Sequence, residues 1–267
     1  MTGRSLHDAL LRVLTSAGLR RRLARPEDTA ADALLGADEA AVLRQADGER
    51  LRRLARFMGR HFYRERIVRL FAASRRLARD RGEDLLDVLD GPAFDALLES
   101  ADVGSTETAE RVAALVEARM APLLTGIPYG RDLLGYEGAL FRVEAGPRCW
   151  DAGAAGGEAP VRSARARVCV FEWDVTGLVT AVRRGDARLP DPSPGSTRLL
   201  VALSPAGRVT TVRCPELVER LLAALDGART ADEVARGLGL AEPDVARALR
   251  QLTEVGAVEW RPRSPER

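Results

Sequence analysis

The chain has 267 residues, enough for one large domain or two ordinary ones, and its 46% apolar content is that of a globular protein. No apolar run approaches the ~20 residues a membrane helix needs, and the charged, helical start does not read as a secretory signal, so the cytoplasm is the expected compartment. All 41 basic residues are arginine, which excludes a P-loop lysine, a Schiff-base lysine and a lysine general base together.

Charge divides the chain more sharply than length: residues 1–81 carry a net +9, residues 82–144 a net −9 and the remainder +2. The first 144 residues read as helix throughout. Leu6, Leu10, Val13, Leu14 and Ala17 fall at helical spacing up to Pro26. A short helix over 28–35 closes at Gly36, and Asp38 is placed to cap the next. The longest segment, 49–81, shows an apolar face of Leu51, Leu54, Ala55, Met58 and Phe62, resumed at Ile67. The five-residue step from Phe62 to Ile67 predicts a kink there or a change of buried face. Gly91-Pro92 opens another helix, Ser105 or Thr106 caps the next, and Pro128 precedes a last one ending near Arg142.

Residues 145–160, rich in Gly, Ala and Pro, read as a linker between a helical domain, 1–144, and a second domain, 161–267. Past it, a strand is expected over 167–173, a short helix over 175–184, and a hairpin of 198–203 with 208–213 around Ser204-Pro205-Ala206-Gly207. Helices follow over 215–225, 230–238 and 242–255, the last stopped by Gly256, and then a strand, 258–260. The fold class is therefore α+β: an all-helical N-terminal domain, then a winged helix-turn-helix with a small antiparallel sheet.

Catalytic chemistry finds little support. The three cysteines, Cys149, Cys169 and Cys214, are scattered, with no C-x-x-C spacing, and read as small buried apolar residues. His61 and Glu65 share a helix face, but two ligands do not make a metal site. No nucleophile elbow is present, and Gly237-Leu-Gly239 lacks the third glycine of a dinucleotide loop. No metal, no cofactor and no enzymatic activity are expected. An arginine stripe (Arg52, Arg53, Arg56, Arg60, Arg64) could meet nucleic acid or an acidic partner, yet the adjacent acidic segment is sufficient to neutralise it internally.

The stretch Leu199–Trp260, with its hairpin, its "LDG.RT" turn (Leu225, Asp226, Gly227, Arg229, Thr230) and its terminal "GAVEW" strand, resembles the pyrroloquinoline-quinone chaperone type of peptide-binding domain, the RiPP recognition element. RFMGRHFYRERIVRLFAASRRLA (56–78), LLDVLDGPAFDALL (85–98) and IPYGRDLLGYEGALFRVE (127–144) are similar to helical domains of partner proteins of multinuclear non-heme iron oxidases, as in methanobactin and thiaglutamate biosynthesis. The resemblance implies a non-catalytic subunit that binds a ribosomal precursor peptide and forms a heterodimer with the iron oxidase, docking through residues 1–144. The expected groove pairs an edge strand, with Arg208, Val209, Thr211 and Arg213, with a helix offering Arg247, Arg250, Gln251 and Glu254. The alternative is a transcription regulator whose helix 242–255 enters the major groove. The 10 arginines and 10 acids of the last 67 residues argue against that alternative and against nucleic acid as a partner.

Overall fold

The structure, a computed structural model, describes residues 6–84, 89–147 and 159–261. Most of the expected linker, 148–158, lies outside the described residues. The fold is α+β, as the sequence reading has it, and the chain divides into two units, 1–125 and 126–267. Among the described residues no helix is long and apolar enough to cross a membrane.

The first unit is helical: α1 (Leu6–Thr15), α2 (Ala17–Leu23), α3 (Ala30–Leu35), α4 (Ala37–Arg44), α5 (Gly48–Leu70), α6 (Ala72–Arg79), α7 (Pro92–Glu99) and α8 (Thr106–Met120). Several boundaries follow from caps. Ser16 accepts from Leu19 N and separates α1 from α2, Asp47 accepts from Glu49 N to open α5, and Ser105 accepts from Thr108 N to open α8. Pro92 opens α7 behind Gly91. Asp38 does not cap α4; it lies in the first turn, where its charge faces the helix N-terminus, and Gly36 takes the cap position with φ 104°.

The long helix departs from expectation in an instructive way. It runs without interruption through 62–67 and breaks only at Phe71, where ψ is 32°. Its buried residues are Ala55, Gly59, Tyr63, Ile67 and Leu70, so an i, i+4 row passes through two positions that an apolar count overlooks. Gly59 suits a close approach, since an added Cβ would stand 3.2 Å from the Leu98 side chain. Phe62 lies beside this row, half-buried, with the Arg66 guanidinium 3.6 Å from its ring centroid. Leu54 and Phe57, at 42% and 67% exposure, face away from the core.

Tyr63 is fully buried, and its hydroxyl accepts from Gly104 N at 3.0 Å. Burial pushes that hydroxyl up to about 12. Replacing Tyr63 with Phe removes the acceptor and should cost about 1–3 kcal/mol in urea unfolding. An unchanged midpoint would show that Gly104 N–H finds another partner at no cost.

The arginine stripe is answered in part within the unit. Arg56 pairs with Glu99 at 3.0 Å, Arg60 with Asp90 at 2.9 Å and also with Asp95, and Arg75 with Asp84 at 3.4 Å. Part of the charge asymmetry along the sequence is thus met by ion pairs between α5–α6 and the acidic segment that follows, while Arg53 and Arg64 stay exposed.

In the second unit, β1 (Ala159–Arg162), β2 (Ala166–Asp174), β3 (Ser193–Leu203), β4 (Val209–Arg213) and β5 (Val258–Arg261) form two antiparallel sheets, β2-β3-β4 and β1-β5. The helices are α9 (Gly130–Ala145), α10 (Thr176–Arg184), α11 (Glu216–Ala223), α12 (Ala231–Leu238) and α13 (Glu242–Glu254). Central strand β3 is buried from Leu199 to Leu203 on both faces, which explains the unbroken apolar run LLVAL. Leu200 and Ala202 pack into the core of α11–α13, around Leu221, Val234, Val245 and Leu249.

The opposite face of that sheet carries α9. By sequence this helix falls with the helical stretch 1–144, but its contacts belong to the second unit. Asp132 accepts from Glu172 N and Trp173 N, both at 2.8 Å, where the β2–β3 register shifts between Phe171 and Trp173. Tyr136 meets the edge of the Phe171 ring at 6.1 Å between centroids and bonds Thr211 Oγ1 at 3.3 Å. Amphipathic periodicity predicts that a helix buries a face but does not say against what.

Candidate nucleic-acid interface

Three short helices make the centre of the second unit. The turn after α11 is built by Asp226, whose carboxylate accepts from Ala228 N at 2.9 Å and Arg229 N at 3.2 Å and pairs with Arg229 Nε at 2.9 Å. These backbone bonds, then the arginine, hold its carboxyl below the usual carboxylate range. Gly227, at φ 77°, lets the turn press on β1, where an added Cβ would stand 3.2 Å from Val161 Cβ.

Thr230 then opens α12 with a capping box: its hydroxyl accepts from Glu233 N at 3.3 Å, and Glu233 Oε2 accepts from Thr230 N at 2.7 Å. Gly239, left-handed at φ 66°, ends α12, and four residues later Pro243 stands in the first turn of α13. Two helices are thereby joined by a tight turn, with Val234, Ala235, Val245 and Leu249 buried between them.

The second helix of this pair buries Val245, Leu249 and Leu252, which leaves Arg247, Arg250, Gln251 and Glu254 on its exposed side. Arg247 lies 3.6 Å from Asp244, an exposed pair that holds little energy and opens easily. Behind it, Trp260 Nε1 donates to Thr253 Oγ1 at 3.1 Å and fastens β5 to α13. Beyond the Gly256 turn, β5 pairs with β1 from Ala159↔Arg261 to Arg162↔Val258. The β1-β5 pair thus flanks the helices together with the β3-β4 hairpin that the sequence implies, and β1 is the strand that the sequence does not announce. Ser163 and Arg165 reach Glu259 across the β1-β5 pair, at 2.6 Å and 3.3 Å.

The residues proposed from sequence for one groove separate onto two sides of a sheet. β4 is an outer strand, as expected. Val209, Thr211 and Arg213 sit opposite Leu203, Val201 and Leu199, on the face where Thr211 meets Tyr136. Arg213 is engaged there by Asp174 at 2.8 Å. Arg208 lies exposed at the hairpin turn. α13 packs beneath the other face, so Arg247, Arg250, Gln251 and Glu254 do not share a groove with those side chains.

Among the described residues there is no group of three or more His, Cys, Asp and Glu that could hold a metal ion. Cys214 is buried and Cys169 half-buried; burial raises both thiols and keeps them protonated. Cys149 and the chain beyond Arg261 lie outside the described residues.

A three-helix unit with a tight turn, an exposed second helix and a flanking strand pair is a helix-turn-helix module of the winged type. A family model, the IclR helix-turn-helix domain, matches residues 220–262. That segment runs from within α11 to the end of β5. No curated protein matches the chain. The match corrects the resemblance drawn from sequence. It points to a DNA-binding module instead of a RiPP recognition element, and it overturns the reading of the chain as a precursor-peptide-binding partner of an iron oxidase. It also overturns the expectation that nucleic acid is not a partner. The apolar pattern sets the buried positions and does not by itself separate the two readings.

Proposed function

We propose that the chain is a non-catalytic transcription regulator of the cytoplasm that binds duplex DNA through α12 and α13. The observation that carries this reading is the match of residues 220–262 to the IclR helix-turn-helix domain, on a segment folded as two helices across a tight turn. In such modules the second helix lies in the major groove. Here that helix is α13, and its exposed groups supply the needed chemistry. Arg247 and Arg250 offer forked donors to guanine, Gln251 a donor–acceptor pair to adenine, and Glu254 an acceptor for the cytosine amino group. Arg236 on α12 and Arg261 on β5 are exposed and suit phosphate contacts beside the groove.

The even balance of arginines and acids in this region has a consequence. With few uncompensated charges, non-specific attraction to the DNA backbone is weak, and base contacts carry a larger share of the affinity. Selection from a random duplex library at moderate salt tests the proposal: the full chain should enrich one sequence motif. A pool that stays unenriched after repeated rounds would oppose it.

A further inference from the structure

The first unit contains a cavity of about 320 Å³ between α1, α2, α4 and α5. Its walls include the apolar side chains of Val13, Leu23, Leu43 and Leu51. Four guanidiniums, those of Arg20, Arg21, Arg44 and Arg52, also line it, against the single carboxylate of Glu99. The charges are not equally engaged. Glu99 pairs with Arg56, Arg44 with Asp32, and Arg52 with Glu49. Arg20 and Arg21 form no ion pair among the described residues.

Arg20 is the informative group. It is half-buried, and one of its terminal nitrogens donates to Val13 O at 3.0 Å and to Leu14 O at 2.8 Å. Those bonds, to carbonyls at the C-terminal end of α1, hold the guanidinium at the cavity, and among the described residues no carboxylate lies within ion-pair distance of it. Burial lowers its pKa below the ordinary arginine value, with Asp102 opposing that shift from a distance and Arg21 adding to it. A partly desolvated cation whose acidic neighbour, Asp102, stands beyond ion-pair distance gains from an anion that joins it.

We propose that this cavity binds a small apolar acid, whose carboxylate meets Arg20 and Arg21 and whose hydrocarbon body lies against Val13, Leu23, Leu43 and Leu51. A cavity of this size sits at the small end of the range for ligand sites, which fits a short alkanoate or an aromatic acid and excludes a peptide. The planar fork of Arg20 matches a carboxylate in a way that an ammonium would not. The apolar wall demands a hydrocarbon body, so a bare inorganic anion satisfies only half of the site. The inference is independent of the DNA-binding reading, because the cavity lies wholly in the first unit.

Isothermal titration of the full chain with alkanoates from butanoate to decanoate, and with benzoate, tests this. Inorganic phosphate and the matching alcohols serve as controls. Saturable binding of at least one acid is expected, with the alcohol of equal length and phosphate each at least about tenfold weaker, the size of one charge-assisted contact. Arg20→Gln should weaken the acid by a similar factor. Should Arg20→Gln fail to fold, Gly48→Phe gives a second reading. Gly48 lines the cavity, and its Cβ position is open, so a large side chain there occupies space without displacing the backbone. It should abolish binding while the circular dichroism stays unchanged. No binding by any acid, equal binding of acid and alcohol, or full affinity in the folded variants would each overturn the proposal.

Discussion

Replacing Gly256 with Ala should unfold the second unit more effectively than any other single methyl addition in it. Gly256 stands between α13 and β5 at φ 84°, where an added Cβ would lie 1.9 Å from Leu203 O and 2.6 Å from Leu203 C. Both atoms are backbone of the buried central strand, so no side chain can rotate aside. The left-handed conformation alone costs an alanine about 1–2 kcal/mol. Displacing a core strand adds a comparable or larger amount, for a total on the order of 3 kcal/mol or more. Gly239 provides the control. It has φ 66° but nothing within 4 Å of its Cβ position, so Gly239→Ala should show the conformational cost alone. Urea unfolding of both variants measures the difference. Equal losses would mean that strand β3 yields freely at Leu203.

Truncating Leu249 to Ala should cost about 2–5 kcal/mol and take DNA binding with it. Leu249 is fully buried at the centre of α13, in the core it shares with Leu221, Val234 and Val245. Its side chain is what holds the exposed face of that helix in register with the rest of the module. A cavity there lets α13 shift, and a displacement of the base-reading groups is as damaging as their loss. Leu217, on α11, is 48% exposed, and Leu217→Ala should stay within about 0.5 kcal/mol of the parent. A Leu249→Ala protein that melts with the parent would show that this core is loosely packed.

Much of the fold is legible where a single residue type enforces a local geometry. Pro92, Ser105, Thr230 and Gly256 each mark a helix end that the structure confirms, and the Ser204–Gly207 turn joins the expected hairpin. What resists reading depends on partners distant in sequence. β1 is four residues with a proline at Pro160, and it becomes a strand because β5, nearly a hundred residues on, pairs with it. The buried row of α5 passes through Gly59 and Tyr63 because α7 and the turn at Gly104 lie against it. α9 carries apolar residues on most of its circumference, so its pattern does not announce which layer it covers.

The interface follows the same division. The exposed side of α13 is readable, since Val245, Leu249 and Leu252 define the buried side by spacing. That the strand residues Val209, Thr211 and Arg213 face α9 follows from sheet register, which no local pattern encodes. The ligand class is the least legible of all. The buried positions Val245, Leu249 and Leu252 set the fold of the module and do not say what its exposed side chains bind.

The proposal that α13 reads DNA is tested by fluorescence anisotropy of a labelled duplex carrying the selected motif. The parent chain should bind that duplex at least about a thousandfold more tightly than a scrambled one. Arg250→Ala should weaken binding by about ten- to a hundredfold and relax the preference at one base position. Arg236→Ala should weaken all duplexes alike and lower the salt slope by about one. Equal affinity for selected and scrambled duplexes, or an Arg247→Ala/Arg250→Ala protein that binds as tightly and as selectively as the parent, would contradict the account.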